Sequence, residues 1–388
     1  MKLSTDRILT THVGSLPRPD DLFEMMLARM DGKPVDEKAY ADRVQKAVRD
    51  TVREQVAAGL DVVNDGEMGK PSFITYAASR LSGLEKREGN RPSPFANTRE
   101  TKDFPEYYQS TVAEQVSARR RRALMVCAGP VRYKGQEALK TELENLKAAM
   151  AGSGATEAFV PAIAPSNIET TTPNEHYKSA EEYVFAIADA MREEYKAIVD
   201  AGFLLQIDDP FLVTYYIMRP DLSIAECRKW AEVRVEALNT ALKGIPSDRV
   251  RFHTCYSINM GPRVHDMQLK DIADIILKVN AGAYTFEAAN PRHEHEWEEW
   301  GRAKIADDKV LIPGVITQST VLVEHPELVA QRLVRFADVV GRERVIAGAD
   351  CGFASFAGSN EVHPSIVWAK FKSLLDGSRL ASKQLWGK

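Results

Sequence analysis

The sequence predicts an α/β fold, a (β/α)8 TIM-type barrel, and three observations carry that expectation. Eight short apolar runs end in turn or polar residues. Amphipathic helical patterns separate most of them. One joint recurs, a helix followed by Ala-Gly and then a buried run, in "AAGLDVV", "DAGFLLQID" and "NAGAYTFE". A doubly wound open sheet is the competing architecture, but the Gly-rich phosphate fingerprint that would favour it is missing.

In chain order the runs are "RILTTHVGS" from Arg7, "LDVVNDGE" from Leu60, "TEAFVPAIAPS" from Thr156 and "FLLQIDDP" from Phe203. They continue with "RVRFHTCYS" from Arg249, "AYTFEAAN" from Ala283, "KVLIPGVIT" from Lys309 and "RVIAGADCGF" from Arg344. Helices are expected from Asp36, Ser179, Ser223, Leu269 and Pro326, where apolar residues recur at steps of three and four. Each of these patterns closes on Gly, the usual residue just past a helix. Two segments break the alternation. Glu85 to Ser110 is polar, contains Pro and carries Phe95, Phe104, Tyr107 and Tyr108, so it reads as a long excursion after strand 2 that covers the barrel mouth. Ala123 to Gly135 reads as an extra β element before strand 3. With no low-complexity linker, the expected organisation is a single domain, residues 1–388, with an insertion at 85–135.

Composition removes several function classes. The chain has 388 residues, 44% hydrophobic and 27% charged, with a net charge of -4. A weakly acidic chain gives no broad electrostatic reason to bind nucleic acid or an anionic membrane. The one basic run, Arg119 to Arg122, reads as a solvated loop or helix end. No apolar run approaches the ~20 residues of a membrane span, and the N-terminal stretch lacks an apolar signal core. Four cysteines in so long a chain are no disulfide scaffold and suit a reducing cytoplasm.

Polar and metal-competent residues collect at the carboxyl ends of the runs, where barrels of this kind place their chemistry. They are His12 and Ser15 on the first run, Glu67 on the second, Asp208 on the fourth, His253 and Cys255 on the fifth, Glu287 on the sixth and Cys351 on the eighth. Side chains two apart on a strand face the same way, so His253 and Cys255 can point at one ion. Two thiolates, an imidazole and a carboxylate suit tetrahedral zinc. A buried His and Cys on a strand are otherwise ordinary core residues, and it is the second Cys and the Glu on other strands that favour a metal. Cys127 and Cys227 lie off this pattern and read as plain buried thiols. His293 and His295, in "NPRHEHEWEEW", follow the Glu287 strand and could relay protons or simply sit in a polar loop.

The motifs "TTHVGSLPRP", "NDGE", "LQIDDP", "HTCY", "FEAAN", "IPGVI" and "ADCGF" occur in an order that resembles the catalytic half of cobalamin-independent methionine synthases and their single-domain relatives. Those relatives include epoxyalkane:coenzyme M transferase. The resemblance implies zinc held by His253, Cys255, Glu287 and Cys351. It implies homocysteine contacts at Ser15 and the Val13 backbone for the carboxylate, and at Glu67 and Asp208 for the amino group. The usual "QIDEP" reads "QIDDP", with Asp209 in place of Glu, and His12 stands where methionine synthases tend to have a small polar residue.

The implied reaction is attack by a metal-held thiolate on an electrophilic carbon, with methyl transfer first and epoxide opening second. The partners would be a small thiol and an alkyl donor (methyl-folate, methyl-corrinoid or epoxide), and a homo-oligomer stays open. The proton on the leaving group could come from His12, His293, His295, Asp208 or Tyr256. A sulfonate thiol would need a cation, with Arg18 and Arg292 the candidates. A metal-dependent hydrolase and a purely structural zinc site are the remaining readings.

Overall fold

The computed structural model describes residues 1–90, 96–109, 123–256, 261–358 and 362–387. Among them are ten strands: β1 (Leu9–Thr10), β2 (Val62–Val63), β3 (Leu84–Asn90), β4 (Ala123–Cys127), β5 (Glu157–Ile163), β6 (Leu204–Asp208), β7 (Val250–His253), β8 (Ala283–Phe286), β9 (Val310–Ile316) and β10 (Ile346–Ala349). Eight form one sheet in the order β1-β10-β9-β8-β7-β6-β5-β2, with every pairing parallel. The two ends of that order meet: Asp61 N donates to Thr10 O at 3.1 Å and Thr11 Oγ1 to Val62 O at 2.9 Å. The sheet is therefore a barrel, and the open-sheet alternative falls.

Helices pack outside because their apolar faces match the outward side of the strands. On Ala180–Asp200, Tyr183, Val184, Ile187, Met191, Tyr195 and Ile198 are all fully buried. Ser179 caps this helix by accepting from Glu182 N, and Asp36 caps Glu37–Ala58 by accepting from Lys38 N and Ala39 N. The helix expected from Leu269 is shorter than its pattern. A 3-10 turn, Leu269–Asp271, leads into only four helical residues, Ala273–Ile276, with Ile272, Ile275 and Ile276 buried and Asp274 exposed. No helix among the described residues is long and apolar enough to cross a membrane.

Inside the barrel, side chains stack in layers. Leu9, Ala283, Val310, Ile312 and Ile346 form one apolar group, and Val62, Phe159 and Leu204 another. A polar layer follows. Gln206 pairs in register with Arg251, and two residues further on Asp208 pairs with His253. The buried Arg251 guanidinium lies 3.9 Å from the centre of the Phe159 ring and donates to Thr11 Oγ1 and His12 O.

The excursion is more ordered than its polarity suggests. Its first residues, through Asn90, belong to β3, which pairs antiparallel with β4. Its short helix Arg99–Asp103 docks on the barrel rim. The Arg99 guanidinium donates to the carbonyls of Tyr216 and Leu222, after β6. The fully buried Glu100 accepts from Arg263 N at 2.8 Å and His265 N at 2.9 Å, after β7. Phe95, Ser110 and the run Arg119 to Arg122 lie outside the described residues.

Candidate active site

Three side chains converge above the polar layer. His253 ends β7, Cys255 follows it by two residues, and Cys351 follows the end of β10 by two. Their ligand-capable atoms all lie within 4.8 Å of one another, and all three residues are buried. The two sulfurs are 3.3 Å apart, and neither is in a disulfide. Burial, helped by the Arg251 charge, pushes the His253 pKa down to about 3, so the ring is neutral, the form that binds metals. Neither of its buried nitrogens makes a hydrogen bond. An orphaned neutral imidazole beside two thiols fits a soft dication such as zinc.

The cavity that this trio helps line is small, about 20 Å³. Val13, Ser15, Glu67, Phe73, Asp208 and Pro210 line it, and no Lys or Arg does so among the described residues. Burial raises the Glu67 carboxyl to about 7 against the pull of Lys70 and Arg18. Burial, and then the Glu67 charge, holds Asp208 well above the usual carboxylate range. Its Oδ1 accepts from Gln206 Nε2 at 2.9 Å and lies 3.4 Å from His253 Nδ1.

Local geometry explains the motifs. Glu67 is one of two non-glycine residues with positive φ, at 56°, among the described residues. Asx turns hold it there, with Asn64 Oδ1 accepting from Gly66 N and Asp65 Oδ1 from Glu67 N. Gly14 has φ 150° and no room for a side chain, since a Cβ there would meet Glu67 Oε1 at 2.8 Å. At Gly352 a Cβ would meet Ser15 Oγ at 2.1 Å. The glycines of "VGS" and "DCG" thus let the first and last loops close over the cavity.

Comparison with known proteins identifies the family. Residues 8–91 and 138–367 match the family model described as cobalamin-independent synthase, catalytic domain. The chain belongs to that family. A methionine synthase of Thermococcus kodakarensis is 25% identical over 382 residues, covering 97% of this chain and 94% of the relative. One of Saccharolobus islandicus is 26% identical over 382 residues, covering 97% and 95%. The solved B12-independent methionine synthase of a Shewanella species, in complex with selenomethionine, has the same fold, with TM-score 0.73 at 19% identity over 98% of this chain and 100% of that one.

Within this family fold, the remaining predicted residues sit away from the cavity lining. His12 turns outward: its Nε2 is 2.8 Å from Gln55 Oε1, and its ring packs edge-on against Phe159 and Phe371. Burial drops its pKa to about 3, so it has neither the position nor the proton of a general acid. His295 is exposed on the 3-10 turn Glu294–Glu296. His293 is buried off the cavity, stacked on Tyr256 at 4.0 Å and held at 2.8 Å by both Asp266 and Glu296. Tyr256 spends its hydroxyl on Met267 O. Glu287 accepts from Tyr256 N, Asn290 Nδ2 and Arg263 Nη2 and is not part of the trio. Arg18 braces the carbonyls of Ala354, Glu67 and Lys70, and Arg292 those of Arg263 and Val264, so neither lines the cavity. Of the five candidate acids, only Asp208 does.

Two residues of the site's support escaped the sequence reading although strand alternation marks them. Gln206 precedes Asp208 by two and donates to Val13 O as well as to Asp208; Arg251 precedes His253 by two.

His293 yields a pH prediction. Burial opposes its charge, but the bonds to Asp266 and Glu296 with the Glu287 charge outweigh that and raise its pKa from 6.5 to about 9. A raised folded pKa means the stabilisation is complete below pH 6.5 and is lost as pH climbs through 9. Chemical denaturation should show a loss on the order of 3 kcal/mol over that window. The same titration on His293→Gln should lack that component; an unchanged slope would rule out His293 as its source.

Proposed function

We propose that this chain is a zinc-dependent methyltransferase that acts on an amino-acid thiol, with homocysteine as the acceptor. One observation carries the reading: two buried carboxylates, Glu67 and Asp208, share a cavity with the His253, Cys255 and Cys351 trio, and no cation lines it among the described residues. An ammonium group on the acceptor would neutralise carboxylates that are otherwise driven to hold protons. A sulfonate thiol such as coenzyme M would meet only like charge, which disfavours the epoxide-opening reading. A metal held by two thiolates would be a weak Lewis acid, which disfavours a hydrolase. The names of the methionine synthase relatives support the same choice.

His253, Cys255 and Cys351 would hold the zinc. When bound, it would supply deprotonation of the acceptor thiol, whose usual pKa is ~8.5. The chain's own residues do the rest. Glu67 and Asp208 seize the ammonium group and fix the acceptor's orientation. Ser15 and the Val13 backbone face its carboxylate. Phe73 and Pro210 restrict water, so the sulfur can be held in line with the incoming methyl carbon. A methylated donor, folate or corrinoid, would approach over the rim that carries the helix Arg99–Asp103. Residues 1–388 would act as one cytoplasmic catalytic unit.

Calorimetry on the zinc-loaded protein tests the reading. Homocysteine titrated in buffers of different ionisation enthalpy should release about one proton more than methionine does, and coenzyme M should not bind. A donor screen read out as methionine should follow. Preferential binding of coenzyme M would overturn the assignment.

A further inference from the structure

Arg263 is the second non-glycine residue with positive φ, at 60°, and it is buried. A bulky side chain in that region persists only where its surroundings hold it. Here they do so from several sides. Glu100, in the insertion, accepts from the backbone N of Arg263 and of His265. Arg292 Nε donates to Arg263 O at 3.0 Å. The guanidinium then donates to Asp266 Oδ2 at 3.0 Å and to Glu287 Oε2 at 2.8 Å. The same Glu287 oxygen accepts from Asn290, and Oε1 accepts from Tyr256 N at 2.7 Å. Both carboxylate oxygens are thus committed, while His253, Cys255 and Cys351 alone among the described residues have ligand atoms within 4.8 Å of one another.

We propose that Glu287 is not a metal ligand in this chain but the fixed counter-charge of Arg263, so that the metal has three protein ligands, His253, Cys255 and Cys351. The inference rests on the metal centre proposed above. Turning Glu287 to the metal would strand a buried guanidinium with Asp266 alone and leave the Tyr256 N–H without its acceptor. Keeping it in place has a chemical consequence. Two thiolates balance a dication, so the centre is neutral before the acceptor arrives. With three protein ligands, the acceptor's sulfur would not need to displace a protein group. The insertion also gains a role, because Glu100 sets the backbone of the residue that restrains Glu287.

Metal binding and spectroscopy test this on the full chain. Glu287→Gln should keep one zinc per chain, with chelator-competition affinity within about threefold of the parent, while Cys351→Ser loses the metal. The visible bands of the cobalt(II)-loaded protein should be unmoved by Glu287→Gln. A loss of affinity beyond about a hundredfold, or displaced cobalt bands, would overturn the inference. Should Glu287→Gln fail to fold, the parent decides. Cobalt-loaded parent should enhance solvent-proton relaxation through a bound water, and homocysteine should abolish that enhancement. No enhancement before homocysteine would mean a filled fourth position and would defeat the three-ligand site. Full metal in Cys351→Ser would instead defeat the metal centre itself, so the two failures are distinguishable.

Discussion

Cys255→Ser and Cys351→Ser should each lose the metal and nearly all methyl transfer, while Cys127→Ser and Cys227→Ser keep both. The four thiols are all buried, so burial does not separate them. Position does. Cys255 and Cys351 hold their sulfurs 3.3 Å apart beside an imidazole without a hydrogen bond. Cys127 lies in β4 of the insertion hairpin, with Sγ donating to Gly129 O, and Cys227 sits inside the helix Ile224–Ala241, where burial lifts its thiol to about 11. Removing a residue that merely orients a ligand costs about ten- to a hundredfold in metal affinity, and removing one of three ligands costs more. Metal content per chain, measured on freshly purified variants, checks the expectation. Full occupancy in either Cys255→Ser or Cys351→Ser would mean the metal sits elsewhere.

Glu67→Gln and Asp208→Asn should each weaken acceptor binding by on the order of ten- to a hundredfold, the usual size of one charge-assisted contact of about 1.5–3 kcal/mol. Metal content should not change. The pH dependence gives a second readout. Burial holds Glu67 at about 7 in the free protein, and an ammonium group favours the carboxylate. Affinity should therefore fall as pH drops below about 7. Methionine is the right probe, since it keeps the amino and carboxyl groups but has no thiol proton to lose. Its affinity should fall off below pH 7 in the parent and respond far less in Glu67→Gln. Equal slopes would remove Glu67 from the ammonium site.

Much of the barrel was legible because its signals are local. Short apolar runs showed where the strands lie, and Gly59, Gly202 and Gly341, all at positive φ, closed the helices where the pattern ended. The insertion was harder. Its strand, Leu84–Asn90, reads "LEKREGN", too polar to announce itself, and it exists because β4 pairs with it. The helix from Leu269 was overestimated because apolar residues recur at helical steps from Leu269 to Val279, although only Ala273–Ile276 is α-helical.

The same division runs through the site. His253, Cys255, Cys351, Glu67 and Asp208 could be placed at one barrel mouth from the sequence, because inward-facing positions at strand ends converge whatever the loops do. Which neighbouring groups face that space was decided only by tertiary contact. His12 lies on the first strand's loop but turns to Gln55, and Glu287 ends a strand but is taken by Arg263. Arg263 is in turn held by Glu100, 163 residues away in the chain. Strand periodicity acts over two residues, whereas a buried charge takes whichever partner the folded loops bring within about 3 Å.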